Sequence, residues 1–318
     1  MNLQDLKKIS VFRAHDDAAL ARLGAVLEAR QFADGQIIFA EGSTGDGMHF
    51  VLSGAVRVEK RIGAAEQLSK TLAVIEAGDY IGEMSLFDQQ PRSASAVAAG
   101  RTETFWLSKA AFDTLAKEGG RAGLGVLFGM IRTSSERIRR LNRQVIVYDE
   151  IGKAIGESAN LQQLLEVMAR QLCYGMLADW AMIMLRAQFS DRVEVRSCVN
   201  LPLTAVQREG LEGGAGVWAA LLLEPGDRIV RDTMQEEPFK SGTKLGFEPP
   251  ALLLAPIQVE GGLLGLIVLG GQQAGQFDVN DLNLVRGVAR QAGQAILNAR
   301  HREDEAARAR HAKQFVRF

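Results

Sequence analysis

Gly78-Asp-Tyr-Ile-Gly-Glu-Met-Ser-Leu-Phe-Asp-Gln-Gln-Pro-Arg-Ser-Ala-Ser-Ala-Val97 is the stretch whose reading decides the fold. Within it Gly82 and Glu83 are followed, nine residues after the glutamate, by Arg92 in Pro-Arg-Ser-Ala. A small anionic sugar ligand needs a close main-chain approach, a cation for phosphate and an acceptor for hydroxyls, and all three are here. Gly82 brings the main chain near without a Cβ, and Met84 to Phe87 fit one helical turn that offers N–H groups to an anion. Arg92 supplies a planar, always protonated guanidinium suited to the two exocyclic oxygens of a phosphodiester. Glu83, ionised at neutral pH, accepts from a ribose hydroxyl and orients a neighbouring arginine. Ser93 and Ser95 add hydroxyl donors. The other use of Glu83 and Arg92 is an ion pair tying two turns of a β-roll. No general base and nucleophile stand together, so the stretch binds rather than catalyses.

Upstream, Phe32-Ala-Asp-Gly-Gln-Ile-Ile-Phe-Ala-Glu-Gly42 and Gly45-Asp-Gly-Met-His-Phe-Val-Leu-Ser-Gly-Ala-Val-Arg-Val58 punctuate β-prone runs with glycine. With Gly82-Glu-Met-Ser-Leu86 and Arg92-Ser-Ala94, these segments resemble the cyclic nucleotide-binding domain over about 140 residues. The cassette of that family runs Gly-Glu-x-(Ala/Ser)-Leu, a short spacer, then Arg-x-Ala. The resemblance implies a ligand-binding set of Ile81, Gly82, Glu83, Met84, Ser85, Arg92, Ser93 and Ala94. Gly82 and Glu83 would contact ribose and Arg92 the cyclic phosphate, with backbone help from Ser93 and Ala94. The implied ligand is cAMP or cGMP, bound unaltered and without a cofactor. Ser93 after the arginine, as in the bacterial activators, leans to cAMP.

With 318 residues, 47% of them hydrophobic, the chain can bury two ordinary cores. A net charge of -1 gives no global field toward nucleic acid or a membrane surface. Cys173 and Cys198 are the only cysteines, which excludes a disulfide framework and a cysteine-based metal site and fits a reducing cytoplasm. The four histidines, at 15, 49, 301 and 311, are too dispersed for a metal set. The N-terminus lacks a signal-peptide core and no apolar run reaches ~18 residues, so a soluble cytoplasmic chain is expected.

Residues 4 to 30 carry helical spacing with a cap region at His15-Asp-Asp, and a β pattern begins at Gln31. Short runs at 37–39, 48–52, 55–58, 72–75, 95–97 and 105–107 predict a small β-roll, in which His49 is an ordinary strand residue. Ser108 caps another helix, and after Gly119-Gly120 a long helix runs toward Tyr148. Leu127, Ile131, Ser134, Ile138, Leu141, Val145 and Tyr148 alternate four and three apart, the register of a two-stranded coiled coil. The simplest use is a parallel homodimer; the alternative is burial on its own domain. In the resembling family this helix covers the base, for which Thr133, Ser134, Asn142 and Gln144 are candidates. Arg132, Arg137, Arg139, Arg140 and Arg143 read as a solvated helix face. No short helix-turn-helix module follows, which argues against direct DNA regulation.

From about Asp149 a second organisation begins: helix Ile151 to Met176, strand Trp180 to Leu185 and another near Val193 to Cys198. Gly210-Leu-Glu-Gly-Gly-Ala-Gly-Val-Trp218, Ala255-Pro-Ile and Phe277-Asp-Val-Asn-Asp-Leu282 then resemble a GAF domain over roughly 150 residues. That implies a central antiparallel sheet with helices on one side and a ligand-sized pocket on the other. Gly270-Gly271 and Leu282 depart from the residues of cyclic GMP-binding GAF domains, so a pocketless dimerisation role stands beside small-molecule sensing. Leu282, Val285, Ala289, Ala292, Ile296 and Ala299 form a second coiled-coil seam, or pack on their own domain.

The expected fold is α+β: residues 1–147 a β-roll with flanking helices and a connecting helix, 148–300 the GAF-type sheet, and 301–318 a trailing helix. The end, Gln314-Phe-Val-Arg-Phe318, looks like the start of a further element and is similar to segments preceding the catalytic domain of class III nucleotide cyclases. The expected function is a non-enzymatic cyclic nucleotide-binding regulatory region that acts on an output elsewhere. The alternative is a dimerisation scaffold with a vestigial site.

Overall fold

The computed structural model describes residues 2–62, 68–88, 90–117, 121–157, 160–187, 192–204, 226–237, 239, 249–260 and 262–315. The Gly210–Trp218 motif, Gly119-Gly120 and residues 316–318 lie outside them. The chain divides into two compact units, Met1–Ile138 and Arg139–Phe318.

The first unit opens with α1 (Leu3–Lys7), a 3-10 turn (Ser10–Phe12) and α2 (Asp17–Val26). Asp16 caps α2 by accepting from Ala19 N at 2.8 Å. Strand structure starts earlier than the sequence pattern suggested. β1 (Glu28–Phe32) pairs antiparallel with β6 (Ser95–Ser108), placing Glu28 opposite Trp106. The short β runs also fuse. β3 (Gly47–Ile62) is one strand of 16 residues whose register shifts between Val51 and Ser53 and again before Ala55. Gly54 sits at that irregularity with φ +77°, and a Cβ there would lie 2.4 Å from the Arg101 carbonyl oxygen. Glycine that looked like a strand end marks a bulge. β2 (Ile37–Phe39), β4 (Leu68–Glu76) and β5 (Tyr80–Ile81) complete a sheet ordered β1-β6-β3-β4, with β2 on β6 and β5 on β3, all antiparallel.

Phe12, Leu20, Leu23, Met48, Phe50, Tyr80 and Leu107 form the core between this roll and its helices, α3 (Met84–Phe87), α4 (Lys109–Lys117) and the start of α5 (Arg121–Glu157). Ser108 caps α4 by accepting from Ala111 N at 3.1 Å. Val126 and Met130 are the α5 residues in that core. Leu127 packs against it, and Ser134 faces the Tyr80 hydroxyl at 3.4 Å, so neither belongs to an outward seam. The outward stripe is Leu124, Phe128, Ile131, Ile138, Leu141 and Val145, each between 45% and 66% exposed.

In the second unit α5 continues through Ile151 to Glu157, and a separate helix, α6 (Leu161–Gly175), starts at the cap Asn160, which accepts from Gln163 N at 2.9 Å. The single helix expected from Ile151 to Met176 is therefore two. Five antiparallel strands, β7 (Trp180–Arg186), β8 (Val193–Val199), β9 (Arg228–Val230), β10 (Ala251–Val259) and β11 (Gly262–Gly271), are ordered β8-β7-β11-β10-β9. Alternation divides their side chains. Ala181, Ile183, Leu185, Leu253, Ala255, Ile257, Ile267 and Leu269 face α6 and α7 (Val279–Phe315), while Trp180, Met182, Met184, Leu252, Leu254, Leu266 and Val268 build a second apolar cluster.

The second coiled-coil seam is not one. Leu282, Val285, Ala289, Ala292, Ile296 and Ala299 are all buried in this unit's own core. The alanines let α7 lie close on β10, where a Cβ on Gly293 would come 2.7 Å from Val259. A seven-residue apolar repeat serves a sheet as readily as a partner helix.

Candidate functional site

The site is built where β5 gives way to α3 and the chain returns to β6. Gly82, at φ +79°, turns the chain after Ile81, in a conformation that costs a residue with a Cβ. Main-chain bonds then fix Arg92: its N–H donates to Ser43 O at 2.9 Å and its carbonyl accepts from Gly42 N at 2.8 Å.

The Arg92 side chain is only 3% exposed. Nη1 donates to Gly82 O at 2.7 Å and Ser85 Oγ at 2.8 Å, while Nη2 donates to Gly47 O at 2.6 Å and, more weakly, to Asp46 at 3.4 Å. The guanidinium lies 4.2 Å from the centre of the Phe39 ring. Nε has no hydrogen-bond partner among the described residues. Burial lowers the proton affinity of Arg92 and Asp46 partly restores it, and a guanidinium stays charged regardless. Glycine is required around it, because a Cβ on Gly45 would fall 2.0 Å from Ser85 Cβ and one on Gly82 2.6 Å from Arg92 Nη1. Behind it His49 is buried, with Nδ1 3.0 Å from Thr104 Oγ1. Burial, then the charges of Arg30 and Arg92, bring its pKa down to about 3, which keeps it neutral within β3, the strand position expected.

The eight residues expected at this site fall into groups. Gly82, Ser85 and Arg92 share one hydrogen-bond set, and Ser85 Oγ also donates to Gly82 O at 3.1 Å. Ile81 and Ala94 are buried beside it, while Met84 is exposed and its sulfur lies 3.9 Å from the Ser93 hydroxyl. Ser93 O accepts from Lys60 Nζ at 2.8 Å, and Lys60 is in turn paired with Glu41. Glu83 does not pair with Arg92. It faces Arg137 of α5 at 3.4 Å, and burial raises its pKa more than Arg137 lowers it.

Arg137 corrects the reading of the α5 arginines as a solvated face. Its Nη2 donates to Asp79 and to Tyr80 O, each at 2.8 Å, and its guanidinium sits 4.5 Å from the Tyr80 ring centre. Burial would lower its pKa, but Asp79 and then Glu83 raise it. The signal was an arginine on the inward face of α5 with acidic residues on both sides of Tyr80. Arg140 is also not solvated. Within the second unit it makes two 2.6 Å bonds to Asp278 and one 2.6 Å contact to Asp281. Asp278 caps α7, accepting from Asn280 N at 2.8 Å and Asp281 N at 3.0 Å. Despite burial, Arg140 holds Asp278 below the usual carboxylate range, while burial pushes Asp281 up.

Elsewhere in the second unit, Cys173 Sγ donates to Ala178 O at 3.0 Å and burial raises its pKa, which keeps it a thiol. Among the described residues no group of three or more His, Cys, Asp or Glu could hold a metal, and no helix is long and apolar enough to cross a membrane.

Comparison with known proteins finds two families along the chain. The family model for the cyclic nucleotide-binding domain matches residues 29–118, and that for the GAF domain matches residues 160–296. A CRP-like cAMP-activated global transcriptional regulator of Mycobacterium tuberculosis is 33% identical over 91 residues, 29% of this chain and 40% of that one. A cAMP-dependent protein kinase regulatory subunit of Mucor circinelloides is 29% identical over 140 residues, 44% of this chain and 29% of that one. The chain thus spans well under half the length of these two regulators. Among solved structures, a cyclic nucleotide-binding domain from Methylobacillus flagellatus is 31% identical, with a TM-score of 0.39, covering 43% of this chain and 76% of that one.

Proposed function

We propose that this chain, a cyclic nucleotide-binding domain followed by a GAF domain, is the ligand-receiving part of a regulatory protein and takes cAMP in preference to cGMP. The observation that carries the reading is Arg92: a buried cation, ringed by glycines, whose Nε has no acceptor among the described residues. An incoming phosphodiester accepts from Nε and displaces the long contact to Asp46, while Gly82 and Glu83 take the ribose and Ser93 and Ala94 add backbone contacts. Because the guanidinium is already desolvated and held, little of the binding energy is lost to ordering it.

The signal leaves through α5. Leu124, Ile131, Ile138 and Val145 recur every seven residues on its exposed stripe, an apolar row that a second copy of the helix would cover. A ligand held ~100-fold better by one arrangement of that helix supplies about 2.7 kcal/mol of bias. The GAF domain passes this to an output outside these residues, for which a class III nucleotide cyclase is our candidate. The rival reading, a scaffold with a vestigial site, draws on the protein acceptors that Arg92 already has.

Calorimetry with cAMP, cGMP and 2′-deoxy-cAMP separates the two. We expect cAMP to bind most tightly, and no heat with any of them up to about 1 mM, a binding free energy weaker than about 4 kcal/mol, would leave the scaffold.

A further inference from the structure

Two arginines on one turn of α5 each hold an acidic pair. Arg137 holds Asp79 and Glu83 within the first unit. Arg140 holds Asp278 and Asp281 at the N-terminus of α7 within the second. Three residues apart on a continuous helix, they share a face, so a shift of that turn moves both side chains. We propose that Arg140 is a positioning residue that carries the state of the nucleotide site to α7. This rests on the nucleotide reading above and adds a specific route to it.

The contacts rank the steps. Arg137 reaches Glu83 at 3.4 Å but Asp79 and Tyr80 O at 2.8 Å, so Glu83 is the partner it holds least firmly. A ribose hydroxyl donating to the Glu83 carboxylate competes for that partner and loosens the turn. At the other end the hold is tight and two-pronged: Asp278 takes both Arg140 nitrogens while it also caps α7 through Asn280 N and Asp281 N. A pull on Arg140 therefore acts on the carboxylate that closes the first turn of α7, whose free N–H groups depend on it. Neither Arg140 nor Asp278 belongs to the cassette, so changing them should leave nucleotide affinity in place.

Amide hydrogen exchange of residues 279–283 in the full chain, with and without saturating cAMP, tests the relay. In the parent, cAMP should speed exchange there by about threefold or more, a local opening rather than global unfolding. In Arg140→Met the cAMP effect should vanish while the calorimetric Kd stays within about twofold of the parent. Asp278→Asn is the second variant, since asparagine keeps the cap but lacks the charge for the bidentate pair, and it should behave alike. If both variants bind cAMP and still show the parent's response at α7, Arg140 is a static staple and the relay is overturned. If the parent binds cAMP with α7 exchange unchanged or slower, the relay fails and the nucleotide reading stands. If calorimetry shows no cyclic nucleotide binding, both fall.

Discussion

Replacing Arg92 with methionine keeps a long apolar stem but removes the guanidinium from a place where that side chain is 3% exposed. Two effects follow and must be measured apart. In the free protein the carbonyls of Gly82 and Gly47 lose donors at 2.7 and 2.6 Å. Gly82 O keeps the Ser85 hydroxyl at 3.1 Å, so the Gly47 carbonyl is the acceptor left unpaired, and the first unit should lose about 1–3 kcal/mol of stability. In the complex the phosphate charge loses its buried partner, which costs about 2–5 kcal/mol, or about 30- to 5000-fold in Kd. Urea unfolding without ligand reads the first effect and calorimetry with cAMP, below the unfolding transition, reads the second. Arg92→Lys guards against simple misfolding. It keeps the charge and loses the fork, so its affinity should fall between parent and Arg92→Met. A folded Arg92→Met that binds cAMP within about threefold of the parent would refute the assignment of Arg92 to the phosphate.

Glu83→Gln should lower the preference for cAMP over its 2′-deoxy analogue by about tenfold, worth about 1.4 kcal/mol, and unchanged selectivity in calorimetry would remove Glu83 from the ribose. The same variant tests pH dependence. Burial raises Glu83 above its ordinary 4.5, with Arg137 opposing, so just above that value the folded chain keeps a proton the unfolded chain has lost. Stability from this group is therefore full below 4.5 and falls as pH rises through the folded pKa, and Glu83→Gln should flatten that part of a urea-unfolding profile. Ile138→Glu combined with Val145→Glu should halve the mass seen by sedimentation without changing helix content, and equal masses for parent and variant would defeat the pairing of α5.

That Gly82, the α3 turn and Arg92 would come together was legible because they lie within eleven residues, and Gly82, Ser85 and Arg92 do share hydrogen bonds. Ser108 and Asp16 were legible as caps for the same reason. What the chain concealed depends on contacts between distant segments. Gly54 reads as a strand end until β6 lies beside β3 and shows a bulge. The α7 repeat reads equally as a seam or as a sheet-facing stripe, and only the apolar face of β10 decides. Arg137 and Arg140 look like neighbours of Arg139 and Arg143 until Glu83 and Asp278, 54 and 138 residues away, are placed against them.

The sign of the link between ligand and α5 follows from how Arg137 divides its contacts. If a ribose hydroxyl takes Glu83 from Arg137, reciprocity requires that removing Arg137 tighten the ligand by the same factor by which the ligand loosens Arg137. The arginine keeps Asp79 and Tyr80 O when Glu83 is lost, both at 2.8 Å, so the competition should sit in the lower part of the usual range for allosteric coupling. That is about 1–1.4 kcal/mol, or about five- to tenfold in Kd. Arg137→Met should then bind cAMP about five- to tenfold more tightly than the parent in calorimetry. Weaker binding by Arg137→Met would mean that Arg137 presents Glu83 to the ribose instead of competing for it. The loosening step would then be absent, and the relay to α7 would fall with it.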